Sequence, residues 1–271
     1  MEKVGGRTAF VTGGANGIGL GIARAFARAG AQLALADVDA AALDAAKREL
    51  SKDAKVETFV LDVRDRDGFA RAADETEARL GPVSLLFNNA GIALTIPAPQ
   101  MSYEAWDFAL GVNLDGVVNG LQTFVPRMCA RAAELGGAHI VNTASGAGLA
   151  TPGAGFLYHT AKFAVVGLSE ALRFELMGAG IGVSVLCPGP VATKIMHHTQ
   201  RTQPASAPRL DAQTLQVVDS FLGSGATPDA VGEMVLRAVR ENELYIHTDR
   251  IMELPIQART QALLDALPPK A

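Results

Sequence analysis

Apolar positions along this chain fall into two rhythms. Thr8 to Thr12 (TAFVT), Gln32 to Ala36, Val56 to Leu61, Val83 to Phe87, His139 to Thr143 and Gly182 to Leu186 are short, nearly continuous apolar runs. Runs of that length without strict alternation suit strands buried on both faces. Leu244 to His247 adds a short strand near the end. Between the runs the apolar spacing turns helical: Ile18 to Ala29, 39 to 51, Arg66 to Leu80, Ser102 to Ala130, Phe156 to Met177 and Pro228 to Arg240. Residues 256 to 266 read as a terminal amphipathic helix. Ser102 and Thr227 sit where N-caps belong, Gly81-Pro82 stops one helix, and Pro126 marks a kink or a late break. Residues 194 to 226 are rich in Gln, Thr, Ser, Pro and His, with few periodic signals; so long a loop in a compact domain reads as a substrate lid or binding segment.

Strands alternating with helices predict an α/β fold, a doubly wound parallel sheet with helices on both faces and right-handed crossovers. Such sheets bind ligands beyond the carboxyl ends of their strands. Thr12, Asp37, Asp62, Asn88, Ser145 and the segment Cys187 to Thr193 all follow strand ends, so they converge on one rim.

Composition narrows the class. The chain has 271 residues, 49% hydrophobic and 19% charged, enough for one well-buried domain over 1–271. The net charge of -4 is mixed along the chain, which argues against a nucleic-acid partner. Two cysteines, Cys129 and Cys187, have no metal-type spacing and fit a reduced, cytoplasmic setting. The first apolar stretch is broken by Gly13, Gly14, Gly17 and Gly19, then by Arg24 and Arg28, which predicts no signal peptide and no membrane span.

Candidate chemistry lies at both ends of the rim. TGGANGIG, Thr12 to Gly19, follows the first strand and opens a helix; its glycines let a backbone approach a pyrophosphate, and the helix N-terminus favours the charge. The glycine spacing departs from G-x-G-x-x-G, and a glycine turn alone is often just a tight turn. Asp37 ends the second strand, where a carboxylate accepts both ribose hydroxyls and repels a 2′-phosphate. Asn16 and Val38 offer a phosphate no positive partner. Asp62 either contacts the adenine amine or caps the next turn. The amides of NNAG, Asn88 to Gly91, lock neighbouring strands first and contact a cofactor second. Asn113, inside a helix and flanked by apolar residues, needs partners; it bonds backbone, or distorts the helix and holds a water.

Tyr158 and Lys162 lie four residues apart on one helical face, and Ser145 ends the preceding strand in a glycine-rich loop. These groups suit proton transfer to or from an alcohol. A free tyrosine ionises near pH ~10, so the lysine ammonium one turn away, and a cationic nicotinamide ring, are expected to favour the phenolate. The bland alternative is a core tyrosine beside a snorkelling lysine. His197 and His198 read as solvated loop residues.

The set TGGANGIG, Asp37, Asp62-Val63, NNAG, Asn113, Ser145, YHTAK and PGPVAT resembles the short-chain dehydrogenase/reductase family across nearly the whole chain. The resemblance implies a Rossmann fold with a seven-stranded sheet and NAD as cofactor. It implies Tyr158 as general acid/base, Lys162 as Tyr activator and nicotinamide-ribose ligand, Ser145 orienting the substrate oxygen, and Asn113 holding a relay water. Gly13, Asn16, Gly17, Ile18, Gly19, Asp37, Asp62, Val63, Asn89, Tyr158, Lys162, Pro188, Gly189, Val191 and Thr193 are the implied cofactor contacts. The stretch VNLDGVVNGLQTFVPRM and the tail NELYIH are similar to bacterial members that oxidise benzylic secondary alcohols. The expected substrate is a hydrophobic alcohol or ketone, in a pocket near Thr95, Ile96, Ala147, Phe156 and the lid. A non-catalytic NAD(H)-binding scaffold and an NADPH-dependent reductase are the competing readings. Intact Ser145, Tyr158, Lys162 and Asn113 oppose the first, and Asp37 with Val38 opposes the second. Apolar residues such as Phe163, Val166 and Phe174 on a second helix face predict a homo-oligomer, dimer or tetramer.

Overall fold

Every predicted strand joins a single parallel sheet. The computed structural model describes residues 3–153 and 155–269. Its strands are β1 (Thr8–Thr12), β2 (Gln32–Asp37), β3 (Val56–Val60), β4 (Val83–Asn88), β5 (Ala138–Thr143), β6 (Ile181–Cys187) and β7 (Tyr245–His247). Their order is β3-β2-β1-β4-β5-β6-β7, and all neighbours run parallel. The order reverses between β1 and β4, and a crevice opens there above the strand ends.

Helices cover both faces. On one side lie α1 (Gly17–Arg28), α2 (Ala40–Leu50) and α9 (Pro228–Glu241), packed on Val11, Leu33, Leu35 and Phe87. On the other lie α3 (Arg66–Leu80), α5 (Gly116–Leu135) and α6 (Phe156–Leu176), packed on Phe10, Leu86, Ile140 and Val183. Alternate strand residues feed alternate faces, which is why both need apolar cover. Phe10 anchors the second face, with ring centroids 4.9 Å from Phe124 and 5.6 Å from Phe69.

Four elements differ from their sequence expectation. The stretch expected as one helix over Ser102 to Ala130 is α4 (Tyr103–Leu110), a π turn over Gly111–Asp115, and α5. α5 runs through Pro126 to Leu135; Pro126 and Gln122, four residues before it, are both exposed, so the lost helical bond falls on the outer face. The lid is not a loop: it holds α7 (Ile195–Thr202) and α8 (Ala212–Gly223). The terminal helix α10 (Glu253–Asp265) starts earlier than expected and is not amphipathic; it has no buried residue. Val166, expected on a second outer face, is 6% exposed and sits in the core. Phe174 is exposed as expected. Among the described residues no helix is long and apolar enough to cross a membrane.

α1 carries the glycine turn at its start, and its position is fixed by α9. A Cβ added at Gly232 would lie 2.2 Å from the Gly21 oxygen, and one at Gly21 2.0 Å from the Pro228 oxygen. The two backbones therefore touch. Gly232→Ala is expected to lower the midpoint of equilibrium urea unfolding, at a cost of about 1–3 kcal/mol from overpacking. An unchanged midpoint would mean that the helices separate freely.

Candidate active site

The turn between β1 and α1 takes backbone shapes that side chains resist. Gly13 has φ 60° and Gly17 φ 51°, both left-handed. A Cβ at Gly19 would fall 2.0 Å from the Gly13 oxygen, so Gly19 lets the helix seat against the turn. Asn16 makes no side-chain capping bond, which leaves the first α1 amides open to an anion. The Asp37 carboxylate accepts from Ala15 N at 3.2 Å and from Asp39 N at 3.1 Å. Each oxygen takes one of these bonds and keeps capacity for another donor. Burial holds this carboxyl above the usual range, against the pull of the two amides. A glycine cradle, an open helix end and a half-buried carboxylate fit a dinucleotide.

One cleft of about 1070 Å³ joins this end to the chemical end. Every predicted cofactor residue lines it except Gly19, which acts from behind the turn. Asp62 lines it too, but its carboxylate is paired to Arg64 at 2.6 Å and accepts from Arg64 N at 3.0 Å. Asp62 thus caps the turn while its carboxylate still lines the cleft. Asn89 donates to the Thr12 oxygen at 3.1 Å, which ties β4 to β1 across the crevice. Asn88 donates to Asn142 at 2.9 Å, the strand-locking role expected of the amides.

At the other end, β5 delivers Ser145 and α6 delivers Tyr158 and Lys162. The Ser145 hydroxyl accepts from Ala147 N at 3.2 Å and lies beside Tyr158, whose ionisation it draws down. Lys162 is 3% exposed; its Nζ donates to the Thr143 oxygen at 3.0 Å and lies 5.6 Å from the Tyr158 ring centroid. Burial pushes Lys162 down to about 8 and pushes Tyr158 up, with the Ser145 hydroxyl opposing. In the protein without cofactor the Lys162 ammonium turns to a carbonyl, and burial dominates at Tyr158. Asn113 lies one layer behind the cleft wall. Its side chain accepts from Ile92 N at 3.1 Å and donates to the Ile92 oxygen at 3.0 Å. Both expected alternatives thus hold in part: the side chain bonds backbone, and the helix around it widens into the π turn.

Val218, Phe221 and Leu222 of α8 bring the expected 194–226 segment to the cleft, whereas sequence reasoning missed Ile251 and Met252 of the C-terminal turn and Pro255 of α10. A signal for α8 existed: Asp211 caps it through Thr214 N, ahead of apolar Leu215, Val218 and Leu222 at helical spacing. Nothing local marks Met252. Of the expected pocket residues, Ala147 lines the cleft, whereas Ile96 and Phe156 pack into a separate core cluster around Phe108 and Leu157. Thr95 is exposed. His198 also lines the cleft, so it is more than a solvated loop residue, while His197 pairs with Asp219 at 2.7 Å. Among the described residues no cluster could hold a metal ion.

The chain was compared with known proteins. Residues 7–204 match the family described as short chain dehydrogenase. The sequence is 36% identical to a Cα-dehydrogenase of Sphingobium sp., over 99% of this chain and 89% of that protein. A short-chain dehydrogenase structure from Novosphingobium aromaticivorans aligns with a TM-score of 0.83 and 38% identity, covering 100% of this chain and 90% of the other. A short-chain dehydrogenase/reductase from Burkholderia phymatum, crystallised with NAD, aligns with a TM-score of 0.90 and 31% identity, covering 100% and 99%.

The electrostatics of Tyr158 can be read without turnover. In the protein without cofactor its phenol is expected to ionise above the ordinary ~10, as the ultraviolet difference between the protein and Tyr158→Phe. Ser145 favours the charged form, so Ser145→Ala should shift ionisation further alkaline. Ionisation at or below the ordinary value would mean that burial does not dominate here.

Proposed function

The chain belongs to the short-chain dehydrogenase family, and on that premise we propose that it is an NAD-dependent oxidoreductase interconverting a hydrophobic secondary alcohol and its ketone. One observation carries this reading. Ser145, Tyr158 and Lys162 meet in the same cleft that runs to the glycine turn and Asp37, and its chemical end is walled by apolar side chains. A binding module has no use for a buried lysine one helical turn from a half-buried tyrosine.

Bound NAD would supply the hydride acceptor, and an oxidised, cationic ring would favour the Tyr158 phenolate. Gly13, Asn16, Gly17 and Ile18 would hold its pyrophosphate side, and Asp37 would take the ribose hydroxyls. Val63, Asn89, Pro188, Gly189, Val191 and Thr193 complete the walls. Ser145 and Tyr158 orient the substrate oxygen, and Tyr158 as phenolate takes the hydroxyl proton. Such proton transfer is worth about 10²–10⁴-fold. Lys162, one helical turn from Tyr158 and pushed down to about 8 by burial, activates the tyrosine and would hold the nicotinamide ribose. Asn113 holds Ile92 and the π turn, whose backbone supports the relay water. α7 and α8 are the lid that excludes solvent. The benzylic resemblance favours aryl carbinols for the first substrate panel. Thr193 and Lys162 complete the nicotinamide side.

Tyr158→Phe removes one hydroxyl and is expected to lower kcat at least ~10²-fold while NADH still binds by fluorescence. More than a few per cent residual rate would sink the assignment. NAD should exceed NADP in kcat/KM, and Asp37→Ala with Val38→Arg should narrow or reverse that preference. Comparable values in the natural protein would overturn the ribose role of Asp37. Exposed Val118, Phe174 and Met177 support a homo-oligomer built on α5 and α6. Sedimentation at micromolar concentration should show no active species of one chain's mass.

A further inference from the structure

The chain after β7 touches the body of the protein at few places, and one of them is the wall of the active site. A Cβ added at Gly146, next to Ser145, would lie 2.6 Å from Met252 Cγ and 3.3 Å from its Sδ. The methionine side chain therefore rests directly on the Gly146 backbone and faces the cleft.

A ring of contacts holds it there. Gly146 N donates to the Pro188 oxygen at 2.9 Å. Gly189 N donates to the Thr248 hydroxyl at 3.0 Å, and that hydroxyl donates to Asp249 Oδ2 at 2.8 Å. Asp249 Oδ1 accepts from Ile251 N at 2.9 Å, which folds the turn back toward Gly146. A Cβ at Gly189 would lie 2.2 Å from Asp249, so the carboxylate sits flush against the Pro188-Gly189 backbone. A second pin lies further along, where the Arg259 guanidinium stands 5.1 Å over the Phe163 ring of α6. Beyond these pins α10 is exposed on all sides. The turn is thus fixed where it meets the cleft and free elsewhere.

We propose that Met252, positioned by Asp249, is a specificity-determining residue that sets the size of the carbinol substituent accepted on the Gly146 side of the pocket. The proposal rests on the hydrophobic-alcohol reading above. Ser145 and Tyr158 fix the substrate oxygen and the cofactor fixes one face of the carbinol carbon, so its two substituents have only two directions left. One runs toward α8, where Phe221 is half exposed and lies on a lid. The other runs toward Met252, on a turn braced against the strand ends. The braced side discriminates size, because a movable wall accommodates an extra group and a fixed wall does not. Methionine fills irregular space and adapts its shape more than a branched residue, so the limit is graded.

The test compares 1-phenylethanol with 1-phenyl-1-pentanol, which differ only in the length of one carbinol substituent. One methylene in an apolar pocket is worth about 10–200-fold in discrimination. Met252→Ala should raise the kcat/KM ratio of the longer alcohol to the shorter at least ~10-fold. Met252→Phe should move the ratio the other way, and Met252→Leu should leave it within a few-fold. Asp249→Ala should move it in the direction of Met252→Ala. Asp249→Asn, which still accepts from Ile251 N, should restore it. NADH affinity by fluorescence should stay constant throughout, which separates a wall from a general loss of structure. A ratio unmoved by both Met252→Ala and Met252→Phe, in a protein that oxidises either alcohol, overturns the role of Met252 alone. A natural protein that binds NADH but oxidises neither alcohol overturns the hydrophobic-alcohol reading and this role with it.

Discussion

The site depends on a buried ammonium. Lys162 is shut away from water with the Thr143 oxygen as its hydrogen-bond acceptor, 3.0 Å away. A buried cation costs several kcal/mol unless it is bonded and paired, so the end of β5 and the start of α6 have to meet there. A polar ladder fixes the same contact two turns further along α6. Asn88 donates to Asn142, Asn142 to the Ser169 hydroxyl at 3.0 Å, and Ser169 to the Val165 oxygen at 2.6 Å. Buried polar groups with complete partners permit one arrangement of helix on sheet. That arrangement sets Tyr158 beside Ser145. Among the described residues, only Asn88 Oδ1 is a buried side-chain polar atom with no partner, and it faces the bare backbone of Gly120.

Around this floor two further segments wall the cleft. α7 is held near its C-terminal end, where the buried Thr199 hydroxyl accepts from Ala93 N at 2.8 Å and exposed Arg201 meets Asp39 at 3.2 Å. Exposed ion pairs contribute about 0–1 kcal/mol, so the Thr199 bond is the firmer of the two. The C-terminal turn is keyed to Pro188-Gly189 by hydrogen bonds and by direct backbone contact.

The strands, six of the helices and the rim of site residues were legible because each rests on local chemistry. Buried parallel strands read as apolar runs, and turns read as glycine or proline. Residues at strand ends share a rim wherever strands alternate with helices. The π turn at Asn113 was legible only as a polar residue in an apolar helix. The lid helices were overlooked because their polar composition masked a capped, periodic stretch beginning at Asp211. The acceptor of the Lys162 ammonium was not legible, because spacing reports that a lysine is near Tyr158 but not which way it turns.

By itself, then, the sequence determined the order of strands and helices, the rim and the polar residues that stand on it. These follow from short-range periodicity, turn propensity and residue type. Only the tertiary structure decided that Lys162 bonds Thr143 rather than Tyr158, that Asp62 pairs with Arg64, and that Met252 lies against Gly146. Those contacts depend on packing and burial. The distant ones join residues that no local pattern connects, and in all of them the energy of the contact depends on how much water the assembled fold excludes.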